Sequence, residues 1–380
     1  MRTYVIADDL TGAAEIAGVA HRLGAHVRLT TSVDGLHAED EVVVLATDTR
    51  SMNREEALAY TETVVDALRT MEGHDRLDRL FKKTDSVLRG HVVAELKALE
   101  GLGYRQMMLL PANPSKGRII KRGIYTIEGR LLSRTLFRHD PEFPATTSHV
   151  VKLLGGGIPY ITTRTRRVRL PEGISIGEVR SMEDMKQHMA RFDDTTTVWA
   201  GGADLFQTLL QHHGRSEVQR APFAGLGTRR SLIVLGSTAR HDLFAEPFFQ
   251  RNRVAVSPMP DEVFAGGKTE AWLQASLQLA NEAESLLLRI PQAITHDEGK
   301  ALQLRHQMAE TVLGLIASWH PEEVVIEGGA TAFTILKGLA WSDLRIADEI
   351  APGVVRLHHP QSGTHLTFKP GSYPWGGCFR

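Results

Sequence analysis

The sequence predicts an α/β protein made of two three-layer domains with mostly parallel sheets. Three observations support this prediction. In residues 1–110, short apolar runs alternate with longer segments of helical period, as in βαβ units around a parallel sheet. The last 150 residues show the same alternation. The chain has 380 residues, 42% of them hydrophobic, which is enough for two buried cores.

In the first domain, five apolar runs predict strands at residues 3–7, 26–30, 41–46, 80–83 and 106–110. Apolar residues at helical spacing predict helices over residues 12–23 and 53–71. Asn53 and Glu56 have the spacing of a capping box and mark the start of the second helix.

Residues 117–200 are more irregular. Their pattern predicts a hairpin at 123–132, strands at 164–170 and 197–200, and a helix at 181–192. A polar, basic stretch at 212–230 marks a boundary between domains at residues 1–220 and 228–380. In the second domain we predict strands at 232–235, 286–290, 324–327 and 354–358, with the longest helix between Glu298 and Trp319.

Charge and cysteine content exclude several classes of protein. Lys and Arg number 44 and Asp and Glu 45, so the formal charge of −1 gives no global attraction for nucleic acid or an anionic membrane. Cys378 is the single cysteine, which excludes an intrachain disulfide and a cysteine-based zinc site. With neither a signal-peptide pattern nor a run of 18 apolar residues, we expect a cytoplasmic protein.

Charged side chains follow the predicted strands of the first domain. Asp8 and Asp9 come directly after the first strand, where open α/β sheets bind ligands, although one Asp could simply cap the following helix. The junction at the end of the fourth strand concentrates charged and hydroxyl side chains at Lys82, Lys83, Asp85, Ser86 and Arg89. Strand alternation lets only one of the two lysines face the site.

Arg89 can bind a carboxylate through two parallel hydrogen bonds, and a solvated charged loop is the alternative for this segment. Asn113 and Arg118 follow the fifth strand, between and after two prolines. Three polar junctions at one sheet edge predict a pocket for a small polyhydroxylated anion. Asp85 and either Asp8 or Asp9 become candidates for a general base.

Two glycine turns in the second domain precede predicted helices, at Gly236-Ser237 and Gly328-Gly329-Ala330-Thr331. Backbone amides at such turns favour phosphate, although a turn of this kind is common without a ligand. Gly371 is a third position where the backbone could approach a ligand closely, or it belongs to a frayed C-terminal tail.

Several common nucleotide-binding and metal-binding motifs are absent from the sequence. Glu262 stands where a P-loop ending at Thr269 would need its first glycine, and there is no H-E-x-x-H motif. His358, His359 and His365 lack accompanying carboxylates, so we predict no protein metal ligands.

Taken together, these segments resemble the four-carbon acid sugar kinase family. The matching segments occur in the family's order at residues 7–13, 83–90, 111–114, 117–118, 236–237, 328–332 and 352–353. The resemblance implies a sugar-acid domain, a nucleotide domain and an active-site cleft between them. Where the family often ends in Lys-x-Gly-Asn-Phe-Gly, this chain has Lys369-Pro370-Gly371-Ser372-Tyr373-Pro374, and residues 155–170 also fit the family poorly.

By matching position, the resemblance implies substrate-binding and nucleotide-binding residues. The sugar-acid residues are Asp8, Asp9, Lys83, Asp85 and Arg89, which are also the catalytic candidates. The nucleotide residues are Ser237, Gly328, Gly329, Ala330, Thr331 and Gly371. From the same segments we add Thr11, Ser86, Asn113 and Arg118 to the predicted substrate-binding residues and Gly353 to the predicted nucleotide-binding residues.

The implied reaction is phosphorylation of a terminal hydroxyl of threonate, erythronate or 3-oxo-tetronate by ATP with Mg²⁺. An Asp acts as base, Arg89 holds the substrate carboxylate, and Lys83 binds the substrate or the transferred phosphoryl group. Two other hypotheses stay open: a hydrolase or lyase acting on a phosphorylated sugar acid without ATP, and a non-catalytic sugar-acid sensor. The sequence leaves open the stereoisomer, the base among the three Asp residues, and whether the chain forms a homo-oligomer.

Overall fold

The computed structural model describes most of the chain. The described residues are 2–37, 39–72, 77, 79–140, 142–163, 170–192, 196–227, 229–236, 243–291, 298–341, 343–371 and 373–380. They form two compact units, Met1–Val218 and Gln219–Arg380, which are presented separately below.

The first unit contains a large parallel sheet and a small antiparallel one. Its strands are β1 Thr3–Ala7, β2 Val27–Thr30, β3 Val42–Ala46, β4 Leu80–Lys83, β5 Gln106–Leu110, β6 Arg118–Lys121, β7 Ile124–Ile127, β8 Arg130–Leu131, β9 Tyr160–Ile161, β10 Gly173–Gly177 and β11 Thr197–Gly201. The large sheet has the order β2-β3-β1-β4-β11-β5-β10-β9, and every neighbouring pair is parallel. Every residue of β1, β3, β4 and β11 is buried, as in a parallel sheet covered on both faces.

Helices cover both faces of this sheet. They are α1 Leu10–Arg22, α2 Arg54–Glu72, α3 Val92–Ala98, α4 Val150–Leu153, α5 Met182–Met189 and α6 Ala203–His212. Helix α1 packs on α6 and α6 on α5, whereas α2 packs on α3. Lys82 of β4 pairs with a residue of α3 and Lys83 approaches a residue of α1, so these two groups of helices lie on opposite faces. The first unit therefore has three layers.

The start of α2 confirms the predicted capping box. The Glu56 backbone N–H donates to Asn53 Oδ1 at 2.9 Å, and the Asn53 backbone N–H donates to Glu56 Oε2 at 3.3 Å. The predicted hairpin is also confirmed, since β7 and β8 pair antiparallel and β6 adds a third strand. Of the predicted strand at 164–170, residues 164–169 lie outside the described residues, and Leu170 is not in a strand.

The second unit is built on a mixed sheet. Its strands are β12 Ser231–Leu235, β13 Val254–Pro258, β14 Ser285–Arg289, β15 Glu323–Glu327, β16 Leu344–Ala351, β17 Val354–His358 and β18 His365–Lys369. Its helices are α7 Pro247–Arg251, α8 Asp261–Ala265, α9 Glu270–Glu282, α10 Glu298–Trp319 and α11 Gly329–Leu339. The strands follow the order β13-β14-β12-β15-β18-β17-β16, parallel up to β18 and antiparallel across the last two pairs.

The predicted fold class is confirmed, and so is α10 as the longest helix among the described residues. The four strands predicted for the second unit are present, and the sequence missed three others, β13, β16 and β18. Strand β16 carries Arg345, Asp348 and Glu349 and is mostly half-buried, so it has no continuous apolar run to signal it. No helix in the described part of the chain combines the length and apolar character needed to cross a bilayer.

Candidate active site

Four strands of the first unit bring charged or polar side chains to the carboxyl edge of the parallel sheet. Asp8 and Asp9 follow β1, Lys83 ends β4, Arg50 lies shortly after β3, and Asn113 follows β5. Because these strands are parallel neighbours or near neighbours, their carboxyl ends lie along one edge. The geometry brings together most of the sugar-acid residues that the sequence singled out.

Arg50 joins three of the acidic residues. Its Nε and Nη2 donate to Asp8 Oδ2 at 2.9 and 2.7 Å, and its Nη1 donates to Asp9 Oδ2 at 3.0 Å. Asp85 Oδ1 lies 3.7 Å from the same Nη1. Burial opposes the charge on Arg50, but the three carboxylates outweigh it and hold its pKa well above the usual value.

Asp8 and Asp9 differ in exposure and in bonding. The Asp8 side chain is 3% exposed, and its Oδ1 accepts no hydrogen bond from the described residues. The Asp9 side chain is 20% exposed and caps α1, accepting the Gly12 backbone N–H on Oδ1 at 2.8 Å. Burial raises the pKa of Asp9, the negative charge of Asp8 adds to that rise, and Arg50 and Lys83 oppose it.

Asp85 is held as an anion by several donors. Its Oδ2 accepts the backbone N–H groups of Val87 and Arg89 at 3.0 and 3.2 Å and the Arg89 Nε at 3.2 Å, and Arg89 Nη2 donates to Oδ1 at 2.8 Å. Burial raises its pKa, but Arg50 and Arg89 more than reverse that effect and bring the pKa of Asp85 well below its ordinary value. Asp85 therefore stabilises the turn after β4 through these hydrogen bonds and also contributes a negative charge to the site.

The two lysines of β4 point to opposite faces, as alternation predicted. Lys82 is fully buried and pairs with Glu95 Oε2 at 2.7 Å, away from the acidic cluster. Lys83 Nζ donates to the Thr84 carbonyl at 3.0 Å and lies 3.9 Å from Glu15 Oε2. It is also close enough to lower the pKa of Asp9. Lys83 is thus the lysine on the side of the site.

Arg89 and Arg118 both lie close to one aromatic ring. The Phe137 ring centroid is 5.5 Å from Arg89 Cζ and 5.6 Å from Arg118 Cζ. Arg89 Nη1 also donates to Asp140 Oδ2 at 3.3 Å, while Arg118 Nη1 donates to Ser86 Oγ. Two of the predicted substrate residues, Ser86 and Arg118, are therefore in direct contact.

The remaining two predicted residues have different surroundings. Asn113 is buried, and its Oδ1 accepts the backbone N–H of Asp204 at 3.1 Å in the first turn of α6, so this oxygen serves the fold. Thr11 lies in the first turn of α1 and is half-buried.

Several residues of this cluster carry no clear signal in the sequence or were not predicted from it. Arg50 is the most important. Glu15, Phe137 and Asp140 also contact predicted residues, and Lys116 pairs with Glu15. Arg50 follows the predicted strand at 41–46, so the rule that selected Asp8 and Lys83 would have found it. Phe137 and Asp140 lie in an irregular segment without a periodic signal.

In the second unit, the Gly328 turn begins α11 without a side-chain cap. Gly328 has φ 108°, a conformation that favours glycine, and its backbone N–H donates to the Lys369 carbonyl at 2.9 Å. The backbone N–H groups of Gly329, Ala330 and Thr331 belong to the first turn of α11, where no intrahelical acceptor is available. Such a turn can hold an anion.

Gly236 lies beside this turn. Its backbone N–H donates to the Glu327 carbonyl at 3.1 Å, and a Cβ there would stand 2.5 Å from Thr331 Oγ1. Only glycine fits at this close approach. Ser237, which the sequence placed at the nucleotide, lies outside the described residues.

Gly371 is joined to the Gly328 turn through Lys369. Lys369 is fully buried, pairs with Glu327 Oε2 at 2.8 Å, and donates to the carbonyls of Pro370 and Gly371 at 3.1 and 3.2 Å. Burial lowers the pKa of Lys369, with Glu327 acting against that effect. Gly353 occupies the turn between β16 and β17, where a Cβ would stand 2.7 Å from the Tyr373 ring.

Two family models match the chain. One, described as a sugar-binding N-terminal domain, matches residues 3–196, which is more than half of the 380 residues. The other, described as a nucleotide-binding C-terminal domain, matches residues 265–373.

Two relatives named as kinases and a solved structure are similar over nearly the whole chain. A 3-oxo-tetronate kinase of Brucella melitensis is 24% identical, covering 98% of this chain and 93% of the relative. A D-threonate kinase of Bordetella bronchiseptica is 25% identical, with 92% and 88% covered. The crystal structure of a Haemophilus influenzae protein from a family of unknown function superposes with a TM-score of 0.73 at 18% identity, covering 99% of this chain and 98% of that chain. This last similarity supports the fold.

Proposed function

Because the chain belongs to the four-carbon acid sugar kinase family, we propose that it transfers the terminal phosphoryl group of ATP to a hydroxyl of a four-carbon sugar acid. Threonate, erythronate and 3-oxo-tetronate are the substrate candidates. The observation that carries the proposal is the cluster of Asp8, Asp9 and Asp85 around Arg50 at the carboxyl edge of the first sheet, with Lys83 close enough to Asp9 to influence its pKa. It offers both a carboxylate base and cations for phosphoryl transfer.

Within this cluster we assign the general base to Asp9. Its side chain is the more exposed of the two adjacent carboxylates, so a substrate hydroxyl can reach it. Its raised pKa also suits a group that must accept a proton near neutral pH. Asp85 has the opposite character, because its lowered pKa makes it a weak proton acceptor.

Asp8 and Asp85 then have positioning roles. Asp8 accepts two hydrogen bonds from Arg50, and Asp85 fixes the loop that carries Ser86 and Arg89. Arg50 in turn holds Asp9 in place through its Nη1. Because the Asp9 carboxylate is already oriented, less entropy is lost when the transition state forms.

We assign Lys83 to the transferred phosphoryl group. It is a cation next to the proposed base, and its nearest carboxylate oxygen, on Glu15, is 3.9 Å away. In the transfer step, the substrate hydroxyl oxygen forms a bond to the terminal phosphorus, its proton passes to Asp9, and the bond to ADP breaks. Lys83 stabilises the negative charge on the phosphoryl oxygens during this exchange.

We assign sugar-acid binding to residues 1–220 and nucleotide binding to residues 228–380. The uncapped first turn of α11, with Gly328, Gly329, Ala330 and Thr331, supplies backbone N–H groups for phosphate oxygens. Gly371, Gly353 and Ser237 stay as further candidates near the nucleotide. We place the reaction in the cytoplasm, where ATP is available.

We propose that the magnesium ion enters the site together with ATP. Among the described residues, no group of three His, Cys, Asp or Glu side chains converges on a point. Mg²⁺ commonly binds through nucleotide phosphates with one or two carboxylates, and it would neutralise phosphate charge here.

An ADP-release assay tests the proposal. The pure protein is incubated with ATP, Mg²⁺ and each of D- and L-threonate, D- and L-erythronate and their 3-oxo relatives. We expect ADP release with at least one acid and none without acid. If none of the acids in the panel causes ADP release, the proposal is wrong. Conversion of a phosphorylated acid without ATP would favour the hydrolase or lyase hypothesis instead.

A further inference from the structure

We propose that Arg118, positioned by Phe137, recognises the carboxylate of the sugar acid, and that Arg89 does not. This inference rests on the proposed function, because it identifies the part of the same site that distinguishes an acid from a neutral polyol. It departs from the role that the sequence suggested for Arg89.

Arg89 already donates to two carboxylates of the protein. Its Nε and Nη2 donate to the two oxygens of Asp85 at 3.2 and 2.8 Å, and its Nη1 donates to Asp140 at 3.3 Å. Two negative charges already face this single positive charge. A substrate carboxylate at Arg89 would meet net repulsion from Asp85 and Asp140.

Arg50 is occupied in the same way. Its nitrogens donate to Asp8 and Asp9 and approach Asp85, so three carboxylates surround it. Lys83 and Lys116 share Glu15 as their acidic neighbour. The charges of Lys83, Lys116 and, more weakly, Arg118 outweigh the burial of Glu15 and lower its pKa.

Arg118 differs from these cations in its partner. Within the described part of the chain, its guanidinium donates to a neutral hydroxyl, Ser86 Oγ, and no Asp or Glu oxygen lies within 4 Å of it. A guanidinium has five N–H donors in a fork that matches a carboxylate. The side chain is half-buried, so a small ligand can reach it while bulk water screens it less than at an open surface.

The neighbours of Arg118 fix its orientation before any ligand binds. The backbone of Arg118 exchanges two hydrogen bonds with Asn113, at 2.9 and 3.1 Å. Ser86 is held in turn by Tyr125, whose hydroxyl donates to the Ser86 carbonyl at 2.7 Å. Phe137 faces the guanidinium at 5.6 Å, a cation–π distance. A fixed guanidinium binds a carboxylate at a smaller cost in entropy than a mobile one.

The test compares acid and neutral substrates in the full-length protein. For Arg118→Met we expect the KM for the preferred sugar acid to rise at least about tenfold, the scale of a lost charge-assisted hydrogen bond. The KM for ATP should stay within about twofold. Turnover of the matching tetritol, which lacks the carboxylate, should not change, so the preference for acid over tetritol should fall by the same factor of about ten.

Three further variants separate recognition from folding. Lys121→Met, on the exposed part of the same strand β6, is the matched control and should leave both KM values unchanged. Arg118→Lys should recover part of the affinity for the acid, because it restores the charge without the fork. Phe137→Leu should raise the KM for the acid by a smaller factor and lower the acid preference, as expected of a positioning residue.

Direct binding of the acid, measured by calorimetry without ATP, distinguishes failure of the inference from failure of the proposed function. If the wild type turns over but Arg118→Met keeps its KM and acid preference, the inference is wrong. If the wild type binds the acid without turnover and Arg118→Met does not bind, the inference holds and the kinase proposal is wrong. A wild type that neither binds nor turns over any acid in the panel overturns both.

Discussion

The carboxyl group of Asp9 has two roles: it caps helix α1, and it is the proposed general base. Oδ1 accepts the Gly12 backbone N–H, and Oδ2 accepts from Arg50 on the other side. An asparagine could keep the cap, since an amide oxygen also accepts a hydrogen bond, but it could not accept a proton. This separation makes the residue testable without loss of the fold.

We expect Asp9→Asn to lower kcat by at least about 10²-fold while the melting temperature changes little. Steady-state kinetics with saturating ATP and sugar acid measure the effect. Asp8→Asn is the comparison, and it should lower activity less, because Asp8 acts through Arg50. Near-normal turnover in folded Asp9→Asn would move the base to Asp8 or Asp85.

The charge of Arg50 predicts a shift in the pH profile. Asp9 must be deprotonated to act as base, so kcat/KM should fall as the pH decreases through its pKa. Arg50 lowers that pKa against the effect of burial, so its removal should raise the pKa further. We therefore expect the acid limb of Arg50→Met to lie at higher pH than that of the wild type.

Arg54→Met is a suitable control for this experiment, because Arg54 is an exposed arginine at the start of α2. Its acid limb should coincide with that of the wild type. If the acid limb of Arg50→Met lies at the same pH as that of the wild type or at lower pH, Asp9 is not the group that titrates.

At the scale of single elements, the turn from β15 into α11 should control nucleotide affinity. Gly328 has φ 108° and begins a helix whose first-turn N–H groups have no side-chain cap. We expect Gly328→Ala to raise the KM for ATP at least about tenfold, because the strained turn would move these N–H groups. The KM for the sugar acid should not change.

Gly363→Ala separates backbone strain from nucleotide binding. Gly363 also has a positive φ, 70°, and nothing lies within 4 Å of a Cβ built there. Both variants should therefore lose stability, but only Gly328→Ala should lose affinity for ATP. Equal KM values for ATP in the two variants would remove the turn from the nucleotide site.

The buried pair at the ends of β15 and β18 predicts a stability effect. Lys369 and Glu327 are 0% and 1% exposed and lie 2.8 Å apart. Lys369→Met removes the cation of this buried ion pair from Glu327, and we expect a loss of about 3 kcal/mol in the free energy of unfolding. The double variant Lys369→Met/Glu327→Gln should lose less, as urea denaturation would measure. If the double variant loses as much free energy of unfolding as Lys369→Met and Glu327→Gln lose in total, the two residues are not coupled.

At the scale of the whole molecule, each ligand should stabilise the chain separately. A ligand at a hundred times its Kd adds about 2.7 kcal/mol to the stability of the folded state. We expect a non-hydrolysable ATP analogue and the sugar acid each to raise the melting temperature in scanning calorimetry. Gly328→Ala should lose only the shift caused by the analogue, and Arg118→Met only the shift caused by the acid. Loss of both shifts in either variant would contradict separate sites.

The sequence by itself determined the fold class and the elements with a strong periodic signal. Strand β1 was predicted with its observed bounds, and the Asn53 and Glu56 side chains confirm the capping box of α2. Such elements depend on local patterns, which are complete in the sequence. Strands β13, β16 and β18 were not predicted because their apolar runs are short or interrupted, and pairing with neighbouring strands stabilises them.

The sequence also placed Asp8, Asp9, Lys83 and Asp85 at one edge of a sheet, because parallel strands share the direction of their carboxyl ends. Only the tertiary structure decided how these charges are paired. Arg50 and Asp140 come from segments distant in the sequence, and they change which cations and carboxylates are left for a substrate. Pairing depends on distances of a few ångströms between side chains from separate loops, and no one-dimensional pattern records those distances.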